Sequence, residues 1–136
     1  MLIKDPSKSQ KGQMNVRGIR GAVQADSNSE ESIFEATQQL LTTLLARNAL
    51  DPTTIVSVFL TATADLDAAF PAYAVRALGG WDLVPLLCAR ELDVPGAMPL
   101  VIRILLHVNT ELTQEEIHHV YLGNTARLRP DLAKKA

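Results

Sequence analysis

The sequence predicts an α/β (α+β) fold in which helices are packed on a mixed β-sheet. Segments rich in β-branched and apolar residues alternate along the chain with segments whose apolar residues recur at the spacing of a helix. The order is strand, helix, strand, helix, strand, a short helical break and strand, followed by short closing strands. This alternation is typical of a sheet covered by helices, and 136 residues provide one domain of this kind.

The first half of the patterned sequence predicts two strands and a long helix. A strand is predicted over residues 15–22. Ser27 and Glu30 form the signature of a capping box, and apolar residues then recur at helical spacing over residues 33–47. After a turn, the segment Ile55–Ala62 is apolar and rich in β-branched residues, which predicts a buried strand.

The second half continues this pattern with shorter elements. A proline at a first-turn position predicts a short helix over residues 71–78, and two glycines end it. Strands are predicted over residues 83–89 and 101–108. The latter segment is almost entirely apolar, as expected for a strand whose two faces are both covered.

The last elements are predicted to be short. Thr113 and Glu116 form a second capping-box signature, which predicts a brief helix. Residues 120–122 and 126–128 are predicted to be short closing strands. Together these elements complete the mixed sheet.

The two ends of the chain and its overall charge narrow the possible classes of protein. Residues 1–13 are polar and aperiodic, which predicts a disordered tail before a domain over residues 14–136. The net charge of −2 provides no field that attracts nucleic acid or an anionic membrane. The apolar runs are too short to span a bilayer, and no basic start with an apolar signal core is present. We therefore expect a cytosolic protein with neither nucleic acid nor membrane as a partner.

The sequence contains none of the common catalytic motifs. It lacks the glycine-rich nucleotide loops, the HExxH zinc motif and the GxSxG elbow. A single cysteine, Cys88, excludes an internal disulfide and has no neighbouring base to activate it as a nucleophile. Adjacent strand residues point to opposite faces, so His118 and His119 cannot bind one metal together and are predicted to be structural or surface residues. His107 is predicted to be a hydrogen-bonded core or interface residue.

Arginine residues provide the main chemical signal. All lysines lie near the chain ends, whereas the cations between them are Arg17, Arg20, Arg47, Arg76, Arg90, Arg103, Arg127 and Arg129. Arg103 lies within an apolar strand, where burial of its charge is unfavourable unless an anion meets it. Two explanations are open at this point: a structural ion pair between Arg103 and Glu91, or a pocket lined with arginine for an anionic ligand.

Several strings of residues closely resemble the AroH-class chorismate mutases. The strings are Arg17-Gly18-Ile19-Arg20-Gly21-Ala22, Ala62-Thr63-Ala64-Asp65-Leu66, Phe70-Pro71-Ala72, Ala74-Val75-Arg76, Gly80-Trp81, Val84-Pro85, Cys88, Glu91-Leu92-Asp93-Val94, Ile102-Arg103, His119-Val120-Tyr121-Leu122 and Leu128-Arg129-Pro130-Asp131-Leu132. The resemblance covers residues 14 to about 133 in one register. It implies a pseudo-α/β-barrel homotrimer with active sites between subunits, which rearranges chorismate to prephenate in phenylalanine and tyrosine biosynthesis without a cofactor or a metal.

The resemblance also implies roles for individual residues. Arg103 would face the ether oxygen of chorismate, where negative charge develops as the C–O bond breaks. Glu91 would lie on the ring side and bind the ring hydroxyl together with the backbone at Cys88. Arg20 and Tyr121 would bind the side-chain carboxylate. We expect Arg103 and Glu91 to be the catalytic residues.

The remaining implied residues bind substrate around this centre. Arg76 and Arg129 would lie near the ring carboxylate at the mouth of the site, and Phe70 and Leu128 would form apolar walls. The other residues of the predicted binding set are Ala72, Tyr73, Leu87 and Cys88. Tyr73 replaces a lysine that is frequent in the family, which removes one cation from the entrance. Leu87 replaces a common threonine, which removes a hydroxyl but leaves the backbone available.

Two other classes of protein are alternatives to the mutase. The enamine/imine deaminases have a similar trimeric fold and bind carboxylates through arginine, but their usual motif is absent from this sequence. A non-catalytic trimer that binds a ligand would be expected to have lost Arg103 or Glu91, and both are present. The sequence therefore favours the mutase.

Overall fold

The computed structural model describes residues 13–133. Its centre is a five-stranded sheet with the strand order β3-β2-β4-β1-β5. The strands are β1 (Asn15–Gln24), β2 (Ile55–Ala62), β3 (Leu86–Arg90), β4 (Val101–Thr110) and β5 (Val120–Tyr121). The predicted tail over residues 1–13 lies outside the described residues except for Gln13, as do the last three residues of the predicted domain.

The sheet is mixed, as the sequence predicted. Strand β4 pairs antiparallel with both β1 and β2. The outer pairs, β2 with β3 and β1 with β5, are parallel. Strand β4 lies at the centre of the sheet and buries Ile102, Ile104, Leu106 and Val108 in the core. The prediction that both of its faces are covered was wrong for the described residues, because Leu105 on the other face is 41% exposed.

Helices cover one face of the sheet. The long helix α1 (Glu30–Arg47) buries Ile33, Leu40, Leu41 and Leu44 against it. The short helix α2 (Pro71–Arg76) packs against α1 and lies near β3. A one-turn helix, α3 (Pro130–Ala133), and the 3₁₀ turns Pro52–Thr54, Gln114–Glu116 and Gly123–Leu128 complete the described elements. Within residues 13–133, no helix is long and apolar enough to cross a membrane.

The predicted start of α1 was wrong. Ser29, not Ser27, is the N-cap, and its hydroxyl accepts the backbone N–H of Ser32 at 3.1 Å. The Ser27 hydroxyl instead contacts the hydroxyls of Ser29 and Ser32. Four residues in this segment are able to cap, and the path of the incoming chain selects among them.

Three other boundaries differ from the predictions. Strand β3 begins at Leu86 and not at residue 83, because a turn closed by Val84 N–H and Trp81 C=O occupies the preceding residues. Helix α2 ends at Arg76, and the following residues up to Leu78 form a turn. Strand β1 extends to Gln24, past the predicted end, because it pairs with β4 over its whole length.

The closing strand predicted over residues 126–128 was also wrong. This segment belongs to the 3₁₀ turn Gly123–Leu128, which the Thr125 hydroxyl fixes through contacts with the carbonyl oxygens of Ala22 and Leu122. In contrast, the capping box of Thr113 and Glu116 is confirmed, and the element that it starts is a single 3₁₀ turn.

On the second face of the sheet, the C-terminal 3₁₀ turn and α3 cover only the corner around Ala22, Val101 and Tyr121. The rest of this face is not covered by any described element, and we call it the open face. It carries Arg20 of β1, Phe59 and Thr61 of β2, Leu87 of β3, and Arg103, Leu105 and His107 of β4, which are partly or fully exposed while their neighbours along each strand are mostly buried. Phe59 and Leu105 are each 41% exposed. His107 contacts the Phe59 ring edge-on and the Ser57 hydroxyl at 3.2 Å, which confirms that it is hydrogen-bonded.

Candidate active site

Arg103 and Glu91 meet on the open face. Arg103 faces this side because Ile102 and Ile104, its neighbours on β4, are buried in the core. Glu91 directly follows β3, and its backbone N–H donates to the carbonyl of Ala62, which extends the pairing of β3 with β2 by one residue. Nε of Arg103 lies 2.8 Å from Oε2 of Glu91, and the two side chains are 34% and 18% exposed.

This contact is an ion pair without a directed hydrogen bond. The N–H of Arg103 Nε is buried and does not point at an acceptor within hydrogen-bond geometry, although Oε2 of Glu91 is close. The attraction between the charges therefore depends on distance more than on orientation. A ligand at the guanidinium can still use the terminal nitrogens, for which no hydrogen bond is seen among the described residues.

A cavity of about 300 Å³ opens beside this pair. We call it the arginine hollow; it is lined by Arg20, Gly21, Phe59, Thr61, Arg103, Ile104, Leu105 and Tyr121. The register of the strands explains the grouping, since Ala22 pairs with Arg103 on one side and with Tyr121 on the other. Two guanidinium groups and a phenol thus face one small space, an arrangement suited to a ligand with carboxylates.

His119 holds the backbone at Arg20. Its Nδ1 accepts the backbone N–H of Arg20 at 3.1 Å, at the point where β1 meets β5. The prediction of a structural role therefore holds for this histidine. His118 has another environment: its N–H donates to Oδ1 of Asn48, whose Nδ2 donates back to the His118 carbonyl. The part of the chain over residues 13–133 has no cluster of three potential metal ligands.

Two polar residues that the sequence reasoning missed hold the start of β4, close to Arg103. The Thr63 hydroxyl accepts the N–H of Val101 at 3.0 Å. The carboxylate of Asp65 accepts the N–H of Leu100 at 3.2 and 3.0 Å. Leu100 has a φ of 56°, a left-handed backbone conformation that is unfavourable for a residue with a side chain. The hydrogen bonds to Thr63 and Asp65 stabilise the backbone at this position.

Another group of predicted site residues surrounds a second cavity of about 640 Å³. We call it the aromatic hollow; Phe70, Tyr73, Cys88 and Arg90 are among the residues that line it. The rings of Phe70 and Tyr73 are 5.2 Å apart, and Cζ of Arg76 lies 5.4 Å from the centre of the Tyr73 ring. Ala72 is buried beneath them in α2.

One chain does not bring all the predicted site residues together. No residue lines both hollows. Cys88 pairs with Leu60 and so points toward the helix-covered side, whereas Arg103 pairs with Thr61 on the open face. Leu87 is exposed on the open face. The predicted set is therefore divided between two surfaces of the same chain.

The C-terminal residues pack beside the arginine hollow. Leu128 packs against a small cluster of Ala22, Val101 and Tyr121. Arg129 donates from Nε and Nη2 to the carboxylate of Asp131, at 3.1 and 2.8 Å. These hydrogen bonds lower the pKa of Asp131 to about 2 and raise the pKa of Arg129.

Comparison with known proteins identifies the family of this chain. The sequence model of the family described as "Chorismate mutase type I" matches residues 16–132. The chain belongs to this family. The chorismate mutase fold and activity implied by the resemblance are therefore confirmed, and the deaminase alternative is set aside.

Two named relatives and one solved structure align with this chain over most of their length. The chain is 45% identical over 120 residues to "Chorismate mutase AroH" of Bacillus subtilis (strain 168), which covers 88% of this chain and 94% of the relative. It is 47% identical over 118 residues to "Chorismate mutase AroH" of Thermus thermophilus, which covers 86% and 96%. The solved structure "Chorismate mutase from Clostridium thermocellum Cth-682" superposes with a TM-score of 0.79 at 41% identity, covering 82% of this chain and 98% of that chain.

Proposed function

We propose that this chorismate mutase rearranges chorismate to prephenate in the arginine hollow of one chain, completed by the aromatic hollow of a neighbouring copy. The observation that carries the proposal is Arg103, which lines a cavity together with Arg20 and Tyr121 and forms an ion pair with Glu91 next to that lining. A cation and an anion held side by side can each meet one of the charges that separate when the substrate ether bond breaks.

The chemistry requires neither a nucleophile nor a proton transfer. Chorismate is a dicarboxylate whose rearrangement is a concerted shift of bonds within one molecule. Arg20 and Tyr121 bind the side-chain carboxylate, which holds the molecule in its compact conformer. Arg103 then stabilises the ether oxygen, and Glu91 stabilises the ring side and accepts the ring hydroxyl.

The aromatic hollow provides the opposite wall. Phe70, Ala72 and Tyr73 are proposed to contact the ring of the substrate from this side, while the backbone at Cys88 binds the ring hydroxyl. Leu87, which lies on the open face, is proposed to contact the ring as well. Arg76 and Arg129 lie near the ring carboxylate, and Leu128 closes the entrance. The contact of Arg76 with the Tyr73 ring supports this arrangement, because it orients the guanidinium where the family often has a lysine.

A homotrimer is the proposed assembly, and three observations support it. Arg20, Arg103 and Tyr121 line one hollow of the chain, whereas Phe70, Tyr73 and Cys88 line the other. The open face exposes apolar side chains such as Phe59 and Leu105 across the centre of the sheet. Strand β3 lies at the edge of the sheet, with a pairing edge that no described strand occupies. Association of copies would cover the face and join the hollows.

The enzyme is proposed to work in the cytosol. Its catalytic domain is proposed to run from residue 14 to residue 136, with residues 1–13 as a tail that catalysis does not need.

The test is whether the purified full-length protein converts chorismate. The conversion is monitored by the loss of chorismate absorbance and by the appearance of prephenate. We expect wild-type protein to convert it and Glu91→Gln to lose most of kcat. Arg47→Ala is the matched control, because Arg47 is an exposed arginine at the end of α1, outside both hollows. Conversion that is unchanged in Glu91→Gln would refute the proposed centre.

A further inference from the structure

We propose that Thr61 is a positioning residue that sets the orientation of the Glu91 carboxylate for catalysis. Its hydroxyl donates to Oε2 of Glu91 at 2.9 Å. Thr61 pairs directly with Arg103 across β2 and β4, and it lines the arginine hollow. The inference rests on the proposed function, because it assigns Thr61 a role through Glu91.

The geometry makes the Thr61 hydroxyl the directional contact of this carboxylate. Arg103 brings its positive charge to 2.8 Å from Oε2, but the N–H of its Nε does not point along that line. Thr61 provides the one hydrogen bond to the Glu91 side chain that is seen within residues 13–133. Because an ion pair tolerates rotation and a hydrogen bond does not, the hydroxyl determines how the carboxylate is turned.

The two oxygens of the Glu91 carboxylate have different environments. Oε2 is occupied by the hydroxyl of Thr61 and the charge of Arg103. Oε1 has no hydrogen-bond partner among the described side chains, so it is the oxygen left for a substrate hydroxyl. Without the Thr61 hydroxyl, the carboxylate is free to turn toward Arg103, and the developing positive charge on the substrate ring loses a pre-oriented partner.

A purely structural role makes a different prediction. If the hydroxyl only satisfies a half-buried carboxylate, its loss lowers stability and activity falls in proportion to folded protein. A positioning role instead lowers kcat in fully folded protein, with a smaller effect on KM, because Glu91 acts on charge that develops in the transition state.

The experiment compares Thr61→Val with Thr61→Ser in the full-length enzyme, with kcat, KM and Tm measured for each. Valine keeps the shape and removes the hydroxyl, whereas serine keeps the hydroxyl. We expect Thr61→Val to lower kcat by about tenfold, since a hydrogen bond to a charged group contributes at least about that factor. Thr61→Ser is expected to stay near the wild-type kcat.

The control is Ser57→Ala, which removes a hydroxyl from the same strand and face, where it contacts His107. It is expected to leave kcat unchanged. If Thr61→Val lowers Tm, the pair Thr61→Ser and Thr61→Ala decides, because these two variants differ by the hydroxyl alone. A folded Thr61→Val with wild-type kcat, or a Thr61→Ser as impaired as Thr61→Val, overturns the inference.

The Glu91→Gln variant, measured in the same assay, distinguishes a wrong role for Thr61 from a wrong proposed site. If Glu91→Gln is impaired and Thr61→Val is not, the role of Thr61 is wrong and the proposed site stands. If Glu91→Gln retains wild-type kcat, the proposed function of Glu91 fails, and the role of Thr61 fails with it.

Discussion

Arg103 and Glu91 meet at 2.8 Å although their strands are not neighbours in the sheet. Arg103 lies on the central strand β4, Glu91 follows the edge strand β3, and β2 lies between them with Thr61 below the contact. The ion pair explains how an arginine is tolerated within an apolar strand. Because Arg103 also lines a cavity, the two explanations that the sequence left open describe one arrangement.

The first prediction concerns Arg103. Loss of a donor that acts mainly in the transition state typically lowers kcat by roughly a hundredfold to a thousandfold, so we expect that loss in Arg103→Ala, with a smaller change in KM. Arg103→Lys keeps the charge but not the planar fork, and it is expected to be severely impaired as well. Steady-state kinetics with Tm measured on the same samples provides the check. Activity that falls only in proportion to folded protein would assign Arg103 to stability alone.

The second prediction concerns assembly. Leu105→Asp places a charge in the middle of the open face, and we expect it to dissociate the proposed trimer, because a carboxylate buried in a subunit interface without a partner is strongly unfavourable. Sedimentation equilibrium at micromolar concentration measures the mass. Thr42→Asp, on the solvent side of α1, is the control and is expected to remain trimeric. A stable and active wild-type monomer would contradict the assembly.

The third prediction concerns the C-terminal segment. Truncation before Leu128 removes the residues that pack on Tyr121 and its cluster, so substrate capture is expected to weaken. KM should rise more than kcat falls, because the segment lies beside the site and not at the breaking bond. Kinetics of the truncated protein tests this, and unchanged kcat and KM would rule out the role of the segment.

The fourth prediction concerns the pair of Arg129 and Asp131. The Arg129 guanidinium lowers the pKa of Asp131 from its ordinary 3.8 to about 2. A depressed pKa stabilises the folded segment above about pH 4, and this contribution is lost as the pH falls from about 4 toward 2. An NMR titration of the Asp131 carboxyl is expected to give a pKa near 2 in the wild type and an ordinary value in Arg129→Ala. Equal values in both proteins would exclude the pair in solution.

The fifth prediction compares two glycines of β1. A Cβ on Gly21 would lie 2.5 Å from the carbonyl oxygen of Val120 and 2.9 Å from Cδ1 of Leu40, so Gly21→Ala must separate β1 from β5 or from α1. We expect a loss of about 1–3 kcal/mol in stability, measured by thermal unfolding. Gly18→Ala is the matched control, since its nearest neighbour, Cδ1 of Leu105, lies at 3.7 Å. A Gly21→Ala variant as stable as Gly18→Ala would show that β5 does not pack as described.

Local pattern predicted most of the elements correctly. The bounds of Ile55–Ala62 agree with the prediction, and the long helix and the central strand were found with small differences at their ends. These elements contain clear periodicity, which neighbouring residues alone produce. The first and last residues of the elements were less predictable. Ser27 and Ser29 are equally able to cap, and only the path of the chain distinguishes them.

The sequence by itself determined the family and the mixed sheet, and it predicted Arg103 and Glu91 as the catalytic residues, because rare strings of residues and a charge within an apolar strand can be recognised without coordinates. Only the tertiary structure decided that Thr61 donates to Glu91, and that Arg103 and Cys88 lie in two separate hollows of one chain. Both facts depend on strand register, which pairs residues far apart in the chain and determines the face of the sheet to which each side chain points. No local pattern contains that information.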